Sequence, residues 1–244
     1  MAVNTPGLSG IKSPIAYRQL NTSKPVVTNA SFGGKTLTID GSVAVDPTTY
    51  KFVQSVRFPG SPSRISSPNS ADFRFGTGNF TVEWWMYFTG LWSAQPASSS
   101  ICGQKLNDST SGWVIYRDGG YPTKLNFRLG LQNNFPTVTT PTPGVWQHWC
   151  VERSGTTVRW YVDGVVDATT TSSYNTNDTS GTFYVGYAQT WGGYLNGYIE
   201  ELSVSNIARY NGAFTPPTSK FTYDSNTKFL LGSAGPYIFD RTFV

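Results

Sequence analysis

From residue 55 to about residue 205 the chain runs in short segments of alternating apolar and polar residues, each closed by Gly, Pro, Asn, Asp or Ser. A period of two is that of a strand with one buried face. SVRF, RISS, NFTVEWWMYF, SICGQKL, GWVIYRDG, KLNFRLGL, WQHWCVERS, TTVRWYVDG, VVDATT, TFYVGYA and YIEELSVS are therefore predicted strands. No segment sustains a helical period; NIARYNGAF (206–214) is expected to form a short helical turn, stopped by Pro216-Pro217. Ser154-Gly155 and Asp163-Gly164 each reverse the chain within two residues, which makes their flanking strands antiparallel neighbours. So many short strands in about 150 residues exceed what one open sheet holds, and two packed sheets are predicted.

Residues 1–34 break the pattern: Pro, Gly, Ser, Thr and Asn dominate, with isolated apolar residues Leu8, Ile11, Ile15, Tyr17 and Leu20. This reads as an extended arm that orders on a partner subunit, and those five residues are its candidate anchors; the other reading is a terminus that is disordered or packed on its own domain. KTLTIDGSVAVD (35–46) alternates around Asp40-Gly41 and is expected to be a hairpin, while TKFLL (227–231) adds a late strand. The division expected is 1–50 for arm and hairpin, 51–222 for the sandwich, and 223–244 for a C-terminal strand and extension.

Three stretches carry a family resemblance. SVRFPGSPSRISSPNSADFRFGTGNFTVEWWMYF (55–88), VWQHWCVERSGTTVRWYVDGVV (145–166) and LNGYIEELSVSNIARYNGAFTPPTSKF (195–221) resemble the opening, the central hairpin pair and the closing segment of laminin-G-like domains. These are concanavalin A-like jelly rolls of the kind found in bacteriophage tail, fibre and capsid decoration proteins. The resemblance implies an all-β, two-sheet antiparallel jelly-roll sandwich, here with an extended N-terminal arm. It also implies a non-enzymatic virion structural protein, a capsid decoration or tail-associated component anchored through its arm. Its partners would then be a major capsid or tail protein and further copies of itself on the particle. The alternative is a lectin module that recognises a host surface glycan. Family membership informs function only by association, because one fold hosts many sites.

Composition narrows these readings. Aromatics are 15% of the chain and charged residues only 13%, so large rings fill the interior and Ser, Thr, Asn and Gly cover the surface, as suits contact with sugars or protein subunits. The net charge of +4 comes from scattered single Lys and Arg residues, which gives no support to nucleic-acid binding. The first thirty residues show no signal peptide, and no apolar run reaches the roughly 18 residues of a membrane span. A product made in the host cytoplasm and built into a virion is expected. There, Cys102 and Cys150 are expected to be buried thiols, or a disulfide if their strands adjoin.

Catalytic chemistry is hard to assemble. Glycoside hydrolysis needs two carboxylates facing one cleft, yet Glu83 stands alone in its strand, and adjacent Glu200 and Glu201 should point to opposite faces. One of them is expected to pair with Arg153 or Arg209. His148, the only histidine, sits in WQHWC as a packed, hydrogen-bonded ring. Asp108, Asp118, Asp163 and Asp178 are the residues to weigh for calcium, but no dense acidic loop occurs and neither metal nor other cofactor is expected. Sugar binding would use exposed rings beside Gly- or Ser-rich turns: Trp92, Tyr121, Trp191 and Tyr194. The competing reading of these four is loop packing or subunit contact.

Overall fold

The computed structural model describes residues 35–104, 112–130, 134–176, 181–189, 191–234 and 237–240. The expected anchors Leu8, Ile11, Ile15, Tyr17 and Leu20 lie outside the described residues, as do Asp108 and Asp178. Eighteen strands are described: β1 (Thr38–Asp40), β2 (Ala44–Asp46), β3 (Ser55–Pro59), β4 (Arg64–Ser67), β5 (Phe80–Tyr87), β6 (Ser100–Gln104), β7 (Trp113–Tyr116), β8 (Asn126–Leu129), β9 (Phe135–Pro136), β10 (Gln147–Ser154), β11 (Thr157–Val162), β12 (Val165–Thr171), β13 (Phe183–Val185), β14 (Tyr187–Ala188), β15 (Gly193–Tyr194), β16 (Asn196–Ser205), β17 (Thr227–Ala234) and β18 (Tyr237–Asp240). They form a seven-stranded sheet in the order β1-β4-β13-β6-β7-β8-β9 and a nine-stranded sheet, β12-β11-β10-β5-β16-β17-β18, with β3 also pairing β16 and β2 pairing β3. Every registered pair is antiparallel, as the jelly-roll expectation requires.

Alternation places the core. Trp84, Trp149 and Trp160 from the nine-stranded sheet meet Trp113, Phe127 and Phe183 from the seven-stranded one, all essentially unexposed, and the rings interlock edge-on and stacked. Each such ring withdraws 150–250 Å² of apolar surface from water, so the aromatic content is what holds the two sheets together. The two sharp turns form as their residues dictate: Asp163 and Gly164 have φ of 48° and 80°, and Gly155 has φ of 59°. Cys102 lies in β6 and Cys150 in β10, in different sheets; both are free and buried, and burial pushes both thiols well up from their ordinary range.

Two local expectations are corrected. Residues 38–46 do not form a hairpin, because β1 pairs with β4 and β2 with β3, so the Asp40-Gly41 turn carries the chain from one sheet to the other. Leu37 and Val43 enter the common core, which ties this segment to the sandwich. Nor does NIARYNGAF form a helical turn; residues 206–214 are bends and irregular chain laid across the outside of the nine-stranded sheet. Its N–H groups find acceptors on the sheet instead of on a preceding turn, which removes the drive to coil.

Candidate functional site

The outer face of the nine-stranded sheet is occupied by the chain itself. Parity puts Thr81 and Glu83 of β5 and His148, Cys150 and Glu152 of β10 on this face, opposite the core rings. Glu152, with no exposed surface, accepts hydrogen bonds from the backbone N–H groups of Tyr210 (2.7 Å) and Asn211 (2.8 Å) and from the Tyr161 hydroxyl (3.1 Å). Thr81 donates to the Ile207 carbonyl. Glu83 Oε2 accepts from the Tyr210 hydroxyl at 2.6 Å and lies 3.2 Å from His148 Nε2. Burial first, then the charge and hydrogen bond of Glu83, push the Tyr210 phenol far up, so it remains a neutral donor. Tyr210 stacks on Phe214, and Phe214 packs edge-on against His148 and Tyr161.

This arrangement makes residues 206–221 a strap held by buried carboxylates. The strap also docks on the Asp163-Gly164 turn, where Phe214 N–H donates to the Gly164 carbonyl and a Cβ at Gly164 would lie 1.9 Å from the Phe214 oxygen. The expected arginine partners of Glu200 and Glu201 are corrected. A bulge between Glu200 and Ser203, with Glu201 at φ 59°, breaks the alternation of β16, and both carboxylates are buried. Glu200 accepts from the N–H groups of Lys51, Phe52 and Val53, and Glu201 from that of Phe221. Arg153 donates to carbonyls and Arg209 pairs with Asp224. A cavity of about 240 Å³ remains under the strap, lined by Glu83, Ser203, Arg209, Tyr210, Lys220 and Phe221 among others. Glu83, the carboxylate in its lining, is spent on holding the strap.

The outer face of the seven-stranded sheet is different. Val114 and Tyr116 of β7 alternate with core residues Trp113 and Ile115, so both point outward; Arg128 of β8 stands opposite Val114. Over them folds the β14–β15 hairpin, with Ala188 and Trp191 packed on Val114 and Tyr116. Gly193 permits this close approach, since a Cβ there would lie 2.1 Å from the Ser98 backbone. Trp191, half-buried, lies nearly flat on Tyr116, with ring centroids 4.6 Å apart at 21°. Arg128 reaches to 5.6 Å from the Trp191 centroid.

Polar groups converge beside these rings. The Tyr116 hydroxyl donates to Asp118 Oδ2 at 2.7 Å and lies 2.7 Å from the Asn134 side-chain amide. Burial, then Asp118, push this phenol up, while at Asp118 burial alone would raise the carboxyl and the bonds from Tyr116 and the Gly120 N–H hold it below the usual range. Arg117 pins the following loop by donating to the carbonyls of Pro122 and Ser93, and that loop presents Tyr121, which is 44% exposed. On the other side of the hairpin, Tyr184, Tyr187 and Tyr194 pack together under Arg64, whose guanidinium binds Asp40 at 2.8 Å.

The structure therefore separates the four loop rings. Tyr121, Trp191 and Tyr194 lie on or beside the outer face of the seven-stranded sheet, but Trp92 does not. It begins a one-turn 3-10 segment, is 1% exposed, and donates from Nε1 to the Lys124 carbonyl; its neighbour Leu91 takes the solvent position. Trp92 is corrected to a core residue. Tyr116, Arg128 and Asn134 were not singled out in the sequence. Their signal was parity: an outward-pointing Val114 and Tyr116 on an internal strand imply that something covers them. Among the described residues no group of three or more His, Cys, Asp or Glu could hold a metal ion; Asp163 accepts from the His148 N–H within its turn.

The family is settled by a match over residues 59–211 to the model of the concanavalin A-like lectin/glucanases superfamily. The chain belongs to this superfamily. No curated protein matches it in sequence. Among solved structures, the superfamily fold is shared with the binding domain of Paraclostridial Mosquitocidal Protein 1 (TM-score 0.56, 13% identity, covering 72% of this chain and 45% of that one). It is shared with domain 4 of the extracellular arabinanase AbnA of Geobacillus stearothermophilus, solved with arabinotriose (0.55, 17%, 74% and 84%). The receptor-binding domain of the botulinum neurotoxin C/D mosaic serotype is also similar (0.55, 11%, 72% and 44%). The chain thus spans less than half of the two toxin domains. At these identities the likeness is one of fold; the two toxin domains are binding domains.

Proposed function

We propose that this protein is a non-enzymatic glycan-binding module whose site is the outer face of the seven-stranded sheet beside the β14–β15 hairpin. The observation that carries the reading is Trp191, held flat on Tyr116 and half-exposed, with Asp118, Asn134 and Arg128 around it. A fixed ring offers a sugar's C–H face an apolar platform at small entropic cost, and nearby carboxylate, amide and guanidinium groups serve its hydroxyls. The arabinotriose complex of the AbnA domain supports a ligand of this class on this fold.

A glycan array tests it. Wild-type protein is expected to bind a defined set of saccharides, and Trp191→Ala to lose about tenfold in affinity, since a stacked ring is worth up to about 1.5 kcal/mol. The variant should still unfold cooperatively, at a lower midpoint because the ring also packs on Val114 and Tyr116. An array without hits, or hits that Trp191→Ala retains in full, would count against this site.

The second reading is a virion structural protein, a capsid decoration or tail component bound to other virion proteins and to copies of itself. It rests on the resemblance of Ala208-Arg209-Tyr210 and Phe214-Thr215-Pro216-Pro217-Thr218 to phage sequences, although these residues also have a place in the strap. Cofractionation with particles that is lost when residues 1–34 are removed would favour it, and a saccharide site on such a component would join the two readings.

A further inference from the structure

We infer that the saccharide taken at this site is an acidic one, bearing a carboxylate or sulfate that Arg128 reads. The inference rests on the glycan-binding reading above and narrows its ligand. Its starting point is the state of the arginines. Arg64 on the same face is paired with Asp40, and Arg117 beside it is satisfied by the carbonyls of Pro122 and Ser93. Arg128 makes no salt bridge among the described residues and its Nε is buried without a hydrogen-bond partner; the rest of its guanidinium meets the Tyr116 hydroxyl, lies over the Trp191 ring and acts on Asp118 only through its charge. Asp118, the carboxylate of the adjoining loop, is engaged by the Tyr116 hydroxyl and the Gly120 N–H.

A guanidinium with one N–H buried and unmet and no carboxylate in direct contact is stabilised further by an anion that meets its planar fork of donors. Carboxylate and sulfate oxygens fit that fork two at a time; a sugar hydroxyl offers one oxygen without charge. Arg128 lies 5.6 Å from the Trp191 centroid, so a pyranose stacked on Trp191 would bring a substituent on its ring edge to the guanidinium. An acidic sugar stacked on Trp191 would thus set its anionic group against the one guanidinium of this face that has no carboxylate in direct contact.

The test compares matched ligands: sialyllactose with lactose, and oligogalacturonate with its methyl ester, against wild type, Arg128→Gln, Arg128→Lys and Trp191→Ala. Wild type is expected to prefer the acidic member of a pair at least tenfold, with affinity falling as salt is raised. Arg128→Gln should bind both members about equally, and Arg128→Lys should keep the salt dependence but recover only part of the preference. Trp191→Ala should weaken both members. Wild type that binds neutral and acidic members alike, or Arg128→Gln that keeps the preference, overturns the acidic ligand and leaves the glycan site standing. Wild type that binds no saccharide overturns both.

Discussion

Replacing Glu152 with alanine is expected to destabilise the protein by about 3–5 kcal/mol and to free residues 207–221 from the sheet. The carboxylate is fully buried and accepts from two backbone N–H groups and a tyrosine hydroxyl. Bonds to a charged acceptor contribute about 1.5–3 kcal/mol each, and the substitution leaves the Tyr210 and Asn211 N–H groups without their acceptor in a site that water reaches poorly. For a chain of this size that loss lowers the thermal midpoint by about 10 °C. Glu152→Gln retains one acceptor oxygen but turns an NH2 toward a donor, and should fall between. Thermal unfolding of both variants, with hydrogen exchange at Tyr210 and Asn211, measures the effect; a midpoint within about 2 °C of wild type would show that the strap holds itself.

Arg153→Met is expected to cost about as much, for the complementary reason. The arginine is fully buried near one end of β10 and donates to the carbonyls of Gly76 (2.7 Å), Gly78 (2.7 Å) and Tyr174 (2.8 Å), with the Phe80 ring 5.1 Å away. Burial lowers its pKa to about 10, which still leaves it charged at neutral pH. Methionine fills the stem's volume yet donates nothing, so three carbonyls lose a charged partner and a loss of about 3–5 kcal/mol follows. The loops at residues 76–79 and 172–176 should lose exchange protection first. Denaturant unfolding gives the global value, and a change below about 1 kcal/mol would mean that water replaces the guanidinium without penalty.

These two residues show where sequence reading stops. The strands, the Ser154-Gly155 and Asp163-Gly164 turns and the two-sheet architecture followed from alternation and turn chemistry, because both act over two to four residues. Alternation puts Glu83 and His148 on one face of their strands but leaves open which face meets the other sheet. Nor can it tell that both faces are covered, since the strap lies 58 residues beyond Glu152 and 127 beyond Glu83. One of Glu200 and Glu201 is for the same reason expected to pair with an arginine, whereas both accept from backbone N–H groups. The same gap separates Tyr116 from Trp191, whose stacking depends on how a hairpin folds back over a sheet. Trp92 illustrates the reverse error: Gly90 and Ser93 beside it suggest a loop, but a 3-10 turn directs its ring inward and exposes Leu91.

The central claim is that ligands meet the outer face of the seven-stranded sheet while the nine-stranded face is closed by the strap. Backbone hydrogen exchange, recorded with and without the tightest-binding saccharide from the array, tests it most directly. Added protection is expected at residues 116–121, 126–129 and 187–194, with residues 203–222 unchanged. Protection confined to residues 203–222 would place the ligand in the cavity beside Glu83 and contradict the claim.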